Sequence, residues 1–212
     1  MTAVTWLAVA VATSAGLALA DKRLTPVIRT YAAQSWFLGG LVLVEGAATH
    51  RVAIAAFGVA ILVVKGILTP TYVGWLSRRL ATGRELDPVL NIPLSLFAGG
   101  LCILASVEIA DSVPFTDPED RVVAVAGLGT VFLGLLAMAT RRKAITQALG
   151  LLTTENGAFL LSLALTEGLP LGVELAVLLD VLVLLVLFGI LFYRIRDTFD
   201  DLDVTAMKTL GE

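Results

Sequence analysis

The sequence predicts an all-α, polytopic membrane helix bundle of about seven transmembrane helices. Hydrophobic residues make up 58% of the 212 residues, charged residues only 16%, and the mean hydropathy is +0.91. This leaves too little polar surface for a soluble globule of the same size. The apolar residues form blocks of about 20, the length of a helix that crosses the bilayer. They do not alternate with a period of two, which excludes an outer-membrane barrel.

Seven apolar segments are each long enough to cross roughly 30 Å of hydrocarbon. In chain order, the predicted spans are 2–20, 30–49, 52–76, 89–110, 121–140, 144–165 and 171–193. Charged residues, prolines and glycines interrupt the apolar pattern between them, as expected of turns at the water interface. These connections are 21–29, 50–51, 77–88, 111–120, 141–143 and 166–170. Asn91 and Pro93 predict the start of the fourth helix, and Pro70 interrupts the third span.

The first span is expected to be a retained membrane anchor. The small residues that end at Ala20 are similar to a signal-peptide cleavage site. However, no Lys or Arg precedes the apolar run, whereas Lys22, Arg23 and Arg29 follow it. That polarity is wrong for a signal peptide and right for an anchor whose N-terminus lies outside.

The distribution of positive charge predicts the orientation. Twelve Lys and Arg residues fall in connections on one side of the predicted membrane, and two, Arg51 and Arg121, fall on the other. The positive-inside rule then places the N-terminus outside and the C-terminal tail in the cytoplasm, which requires an odd number of spans.

The composition also excludes several classes of site and partner. Cys102 and His50 are the only residues of their types in the sequence. A haem, an iron–sulfur cluster or a structural zinc needs several such ligands, so we expect no metal and no cofactor, and a disulfide within the chain is excluded. The net charge of −3 gives no basic surface for nucleic acid.

Two acids are predicted near mid-membrane, Glu155 in the sixth span and Asp180 in the seventh. A charge at the bilayer centre costs about 2.5–3.5 kcal/mol on insertion scales and is seldom retained without a function. Adjacent antiparallel helices would hold both carboxyls at similar depth, where burial favours reversible protonation. The pattern favours half of a proton relay, and neutral, hydrogen-bonded packing is the alternative.

Three further residues in spans are candidates for the relay. Lys65 lies near the middle of the third span, and a buried amine beside a carboxylate changes the proton affinity of that site. A structural role for Lys65 is equally open, because a long side chain can reach the cytoplasmic edge. Glu45 and Glu174 are possible relay residues near the outer interface. For Glu174 we prefer simple contact with water or headgroups, and for Glu45 the two interpretations are balanced.

The C-terminal part carries a distinctive arrangement of charges. One span ends at Arg141-Arg142, the next has a central Glu in GLLTTENGAFL (150–160), and the last has a central acid in LLDVLVLLVLFGILF (178–192), followed by the basic YRIR and an acidic tail. This region resembles the three-helix K subunit of respiratory complex I and the C component of multisubunit sodium/proton antiporters. With four helices ahead of it, the whole chain resembles membrane component E of the hydrogenase-4 and formate hydrogenlyase family.

The resemblance implies two parts, a four-helix membrane part at 1–120 and a K-like three-helix part with a cytoplasmic tail at 121–212. It implies a multi-pass subunit in the inner (plasma) membrane of a bacterium or archaeon, next to antiporter-like and other membrane-arm subunits. Such a subunit belongs to an oxidoreductase complex without being catalytic itself. Glu155 matches the acid of the second K-like helix and Asp180 that of the third, and both acids belong to a path that translocates protons or sodium.

Two other functions remain open at the level of sequence. A free-standing seven-helix carrier or receptor could use the same acids to bind a cationic substrate, although carriers usually have inverted repeats and matching broken helices. A structural membrane scaffold would need neither acid for its function.

Overall fold

The computed structural model describes residues 2–79 and 90–165, and every element in these ranges is helical. The elements are α1 (Ala3–Ala20), α2 (Leu24–Ala48), α3 (Val52–Val63), a π-helical turn (Val64–Leu68), α4 (Thr69–Arg79), α5 (Ile92–Asp111), α6 (Pro118–Thr140) and α7 (Ala144–Leu165). With α3, the π-helical turn and α4 taken as one, six helices are long and apolar enough to cross a membrane, which fits a multi-pass membrane protein. They correspond to the first six predicted spans. The seventh, 171–193, lies outside the described residues.

Several helices begin earlier than their apolar cores. α2 starts at Leu24 rather than 30, and α6 starts at Pro118 rather than 121. Proline is tolerated in a first helical turn because the N–H it lacks would have no partner within the helix. The predicted start of α5 is confirmed, since the Asn91 side chain accepts a hydrogen bond from the Leu94 amide at 3.1 Å.

The helices α6 and α7 form an antiparallel pair with very close backbones. Glycines on both helices lie at the contact, and there is no room for a side chain at several of them. A Cβ atom built on Gly157 would lie 2.5 Å from the Val131 nitrogen and 2.8 Å from the Gly127 carbonyl oxygen. Small residues allow helices in membranes to approach in this way. The contact fixes the position of α7 along α6.

The helix α1 runs parallel to α6 and is held at both ends. Near its start, the Thr2 amide and hydroxyl donate to the Glu119 carboxylate at 3.1 and 2.6 Å. At its other end, the Arg141 guanidinium donates to backbone carbonyls of α1. We name the two ends of the bundle by their turns: the Arg141 end has the turns 21–23 and 141–143, and the His50 end has the turns 49–51 and 112–117.

Two apolar clusters fill the interior, one toward each end. The cluster at the Arg141 end consists of Leu24, Val27, Ile28, Tyr31, Val73, Leu76, Ile145, Ala148, Leu149 and Leu152. The cluster at the His50 end consists of Ala8, Val11, Leu38, Leu41, Val42, Ile54, Ile61, Val123, Ala126, Phe159 and Leu160. Between them, at the middle of the helices, lies a layer of buried polar side chains.

The predicted division at residue 120 remains a prediction, because it concerns a unit that includes 171–193. Within the described residues, the cluster at the His50 end combines side chains from α1, α2 and α3 with side chains from α6 and α7. The helix α5 packs on α6 and α1 and exposes large apolar side chains, including Leu96, Phe97, Leu101 and Leu104. In a bilayer such a surface faces lipid or another protein.

We predict that Gly157→Ala destabilises the fold, because the new Cβ meets backbone atoms that cannot rotate away. Overpacking of this kind costs about 1–3 kcal/mol. The matched control is Gly100→Ala on α5, where nothing lies within 4 Å of the added carbon, so the higher helix propensity of alanine should leave stability equal or slightly greater. Thermal unfolding of the detergent-solubilised chain measures the difference. Equal midpoints for the two variants would contradict the close α6–α7 contact.

Candidate functional site

The π-helical turn carries Lys65 into the interior of the bundle. Pro70 follows this turn, as the second residue of α4. In a regular α-helix the proline ring would clash with the backbone carbonyl four residues earlier, and that carbonyl would also lose its hydrogen-bond donor. The wider π turn relieves this conflict just before the proline, and the Thr69 amide bonds to the Val64 carbonyl five residues back. Lys65 lies in this π-helical turn, and its side chain is buried, with only 3% of the residue exposed.

Glu155 lies on α7 opposite Lys65, and the two side chains form an ion pair between Lys65 Nζ and Glu155 Oε1. Glu155 is 1% exposed. Lys65 Nζ also donates to Asn156 Oδ1 at 3.2 Å. The ammonium is therefore shared between a carboxylate and an amide oxygen on consecutive residues of one helix.

The polar layer continues from α7 onto α2. Asn156 Nδ2 donates to Gln34 Oε1 at 3.2 Å and lies 3.4 Å from Ser35 Oγ, also within hydrogen-bonding distance. Gln34 Nε2 in turn donates to the Val11 carbonyl of α1 at 3.4 Å. Gln34, Ser35 and Asn156 are all at most 1% exposed. One connected set of hydrogen bonds thus joins α1, α2, the π-helical turn and α7.

This arrangement keeps two opposite charges inside an apolar interior. Each ion loses its hydration on burial, and their mutual attraction offsets that loss only when the geometry is close and further hydrogen bonds are made. The amide of Asn156 supplies such a bond. The pair is neutral as a unit, and adding or removing one proton changes its net charge by one. Such a unit can respond to charges in neighbouring proteins because a low-dielectric surrounding screens them weakly.

The structure brings together two of the five predicted site residues, Lys65 and Glu155. Glu45 is not part of this group, since it lies about 16 Å further along α2 than Gln34. It lines a separate cavity of about 470 Å³ at the His50 end, together with Arg51 and Asp120. Asp180 and Glu174 lie outside the described residues.

Gln34 and Ser35 belong to the polar layer but were not among the predicted site residues. Neither side chain ionises, whereas the site residues were predicted from ionisable side chains within spans. A usable signal exists in the sequence, because a glutamine in the middle of an apolar helix must find a hydrogen-bonding partner inside the protein. Within the described residues, no group of three His, Cys, Asp or Glu side chains could hold a metal ion.

Arg141, predicted to lie in a connection at the water interface, is buried against the end of α1. It is 6% exposed, and its Nη2 donates to the carbonyls of Ala18, Leu19 and Asp21 at 3.2, 3.3 and 2.9 Å. A cation here also opposes the negative end of the α1 dipole. Burial lowers the pKa of the Arg141 guanidinium, and the nearby Asp21 carboxylate opposes that shift. An arginine begins from so high a value that it stays charged.

Comparison with known proteins gives one informative relative. The chain is 32% identical over 197 residues to uncharacterized protein Rv0085 of Mycobacterium tuberculosis (strain ATCC 25618 / H37Rv), covering 90% of this chain and 88% of that protein. No family model matches the chain, and no solved structure matches it.

We predict that Lys65→Met destabilises the protein by about 3–5 kcal/mol, because it leaves a buried carboxylate without its cation. Adding Glu155→Gln should recover much of this loss, since the double variant buries no unpaired charge. The control Arg78→Met changes a cation on the exposed surface of α4 and should stay within about 0.5 kcal/mol of the parent. Unfolding of the parent, Lys65→Met, Glu155→Gln and the double variant in one detergent gives the coupling energy, with Arg78→Met measured beside them. Additive effects of the two interior substitutions would contradict the ion pair.

Proposed function

The chain belongs to the same family as the Mycobacterium tuberculosis protein Rv0085, and we propose that it is a non-catalytic membrane subunit of an ion-translocating assembly similar to hydrogenase-4 and respiratory complex I. In this proposal, acids within the spans take up and release protons, and electron transfer takes place in other subunits. The observation that carries the proposal is the buried Lys65–Glu155 ion pair in the middle of the bundle.

The physical support for this proposal is the desolvation free energy that a buried ion pair costs. Apolar residues of similar volume often give equal or greater stability than a buried ion pair, so stability alone is a weak reason to retain one. Ionisable residues inside membranes usually mark paths for ions or protons. A π-helical turn, such as the one that carries Lys65, is also frequent at functional sites.

The resemblance to the K subunit supplies the remaining argument. It assigns Glu155 to the acid of the second K-like helix and Asp180 to that of the third. Aspartate stands at 180 where glutamate is usual, so its carboxyl reaches one methylene less far. The proposal includes both acids in the relay, with Lys65 as the charge that responds to Glu155.

The proposed topology has seven spans, with the N-terminus outside and the tail 194–212 in the cytoplasm of a bacterial or archaeal cell. The His50 end then faces outward, and the Arg141 end faces the cytoplasm. Antiporter-like and other membrane-arm subunits would cover part of the exposed apolar surface, to which Leu96, Phe97 and Leu101 contribute.

A free-standing carrier for a cationic substrate is less well supported. Glu155 already holds a cation from its own chain and is 1% exposed. A substrate would have to displace Lys65 from Glu155, and both side chains are buried within the bundle. A purely structural scaffold would retain the pair without using its protons, and substitution distinguishes that function from the proposed one.

Glu155→Gln lowers stability, because Lys65 loses its counter-charge. In assemblies that form, we expect electron transfer to stay at least partly active while coupled ion movement is lost. Glutamine keeps the shape and the hydrogen bonds of glutamate but cannot titrate. Asp180→Asn should have a similar but milder effect. The measured quantity is the number of protons taken up per electron in vesicles that contain the whole assembly.

The matched control is Glu108→Gln, an identical change at an exposed position of α5, which should leave the proton-to-electron ratio unchanged. An unchanged ratio in both Glu155→Gln and Asp180→Asn would favour the scaffold. Purification of the chain from its native membrane tests the assembly directly. Co-migrating hydrogenase subunits support the proposal, and a lone 22.3 kDa species favours the carrier.

The topology gives a separate prediction. A reporter that is active only in the cytoplasm should be active when fused after Glu212, because positive charge retains the tail on that side. The same reporter inserted in the acidic connection 111–120 should be inactive. Activity in the opposite pattern would invert the proposed orientation.

A further inference from the structure

A small cavity lies between α1, α2, α6 and α7 on the Arg141 side of the polar layer. Its volume is about 20 Å³, and a cavity of roughly 10–15 Å³ on this measure accommodates one water molecule. Seven polar side chains line it: Arg141 and Thr146 at one end of the bundle, and Ser14, Thr30, Tyr31, Gln34 and Thr153 nearer the middle.

Arg141 is one of the residues that line this cavity. Its Nη2 is occupied by carbonyls of α1 and the following turn. Its Nη1 is buried and has no hydrogen-bond partner among the described residues. A buried donor on a charged group is costly to leave unsatisfied. A water molecule in the cavity would satisfy it.

The hydroxyl groups of the cavity supply acceptors for the same water. Ser14, Thr30, Thr146 and Thr153 each donate their own proton to a carbonyl of the same helix or its preceding turn, at 2.7–3.0 Å. A hydroxyl that donates in this way keeps lone pairs that can accept. A bound water usually needs two to four polar partners, fewer than the polar groups that line this cavity.

The cavity is also connected to the ion pair. Gln34 lines it and accepts a hydrogen bond from Asn156, whose own oxygen accepts from Lys65. On the opposite side, Phe159 and Leu160 follow Glu155 by about one helical turn and belong to the apolar cluster at the His50 end. That cluster separates the polar layer from the larger cavity that Glu45 lines.

We propose that this cavity holds an ordered water, bound by Arg141 and by the nearest of the hydroxyls that line it, and that water reaches the Lys65–Glu155 pair from the Arg141 end and not from the His50 end. The water site stands on this geometry alone. Its use as the side from which protons arrive at Glu155 rests on the proposed function. In the proposed orientation that side is the cytoplasm.

Radiolytic hydroxyl-radical labelling of the intact chain in isotope-labelled water tests the site, because ordered waters oxidise the side chains beside them. Tyr31 lines the cavity and is 2% exposed, whereas Phe159 lies in the opposite cluster and is 3% exposed. After correction for intrinsic reactivity, we expect several-fold faster labelling of Tyr31 than of Phe159. Equal rates would overturn the proposal.

Substitution locates the water. Ser14→Val removes an acceptor and fills part of the cavity, so labelling of Tyr31 should fall to the level of Phe159. Thr13→Val makes the same kind of change at the neighbouring, exposed position of α1 and should have no effect. If Ser14→Val prevents folding, Thr30→Val is the substitute, since it removes a hydroxyl with little change of volume. Unaltered Tyr31 labelling in the folded Ser14 or Thr30 variant would place the water elsewhere and overturn the assignment.

The labelling requires neither a partner subunit nor electron transfer, so its outcome is independent of the proposed function. Fast labelling of Tyr31 together with an unchanged proton-to-electron ratio in Glu155→Gln would leave the water site standing and reject the relay. Slow labelling of Tyr31 together with loss of proton uptake per electron in Glu155→Gln would support the relay and reject the proposed water site as its source of protons.

Discussion

The attraction between Lys65 and Glu155 is the interaction on which the interior depends. Both groups are at least 97% buried, so each would be strongly unfavourable without the other. The surrounding amides and hydroxyl extend that dependence to α1 and α2 through Asn156 and Gln34. Helices in a membrane gain little from apolar contact with one another, because lipid is equally apolar. A buried polar layer therefore specifies how these helices are placed in a way that apolar clusters cannot.

The two apolar clusters shield the polar layer from water. They lie on either side of the polar layer and keep bulk water away from it, which strengthens every electrostatic interaction inside. The two sides are unequal, because hydroxyls and Arg141 reach inward beside one cluster while the other cluster closes its end with Phe159 and Leu160. The helix α1 packs against both clusters, through Ala8 and Val11 on one side and Ala18 on the other.

Much of this fold could be predicted from the sequence, because length and hydropathy determine where a chain can cross a bilayer. The first six spans were located in this way, with errors at polar first turns such as the one that contains Pro26. Glu155 and Lys65 were identified because charges within spans are rare. Their contact could not be predicted, since it depends on which helices are neighbours. Gln34 was missed because its side chain does not ionise, and Arg141 was assigned to the surface because its burial arises from the end of α1.

The glycine contact between α6 and α7 has a mechanical consequence. At Gly127 and Gly157 the closest atoms of the opposite helix belong to its backbone, so no change of side-chain rotamer there could let one helix slide past the other. This contact therefore resists sliding of α7, which carries Glu155, along α6. Lys65 lies on a π-helical turn of another helix, where the backbone is already wider than an α-helix. A displacement of Lys65 relative to Glu155 thus needs less repacking on the lysine side of the ion pair.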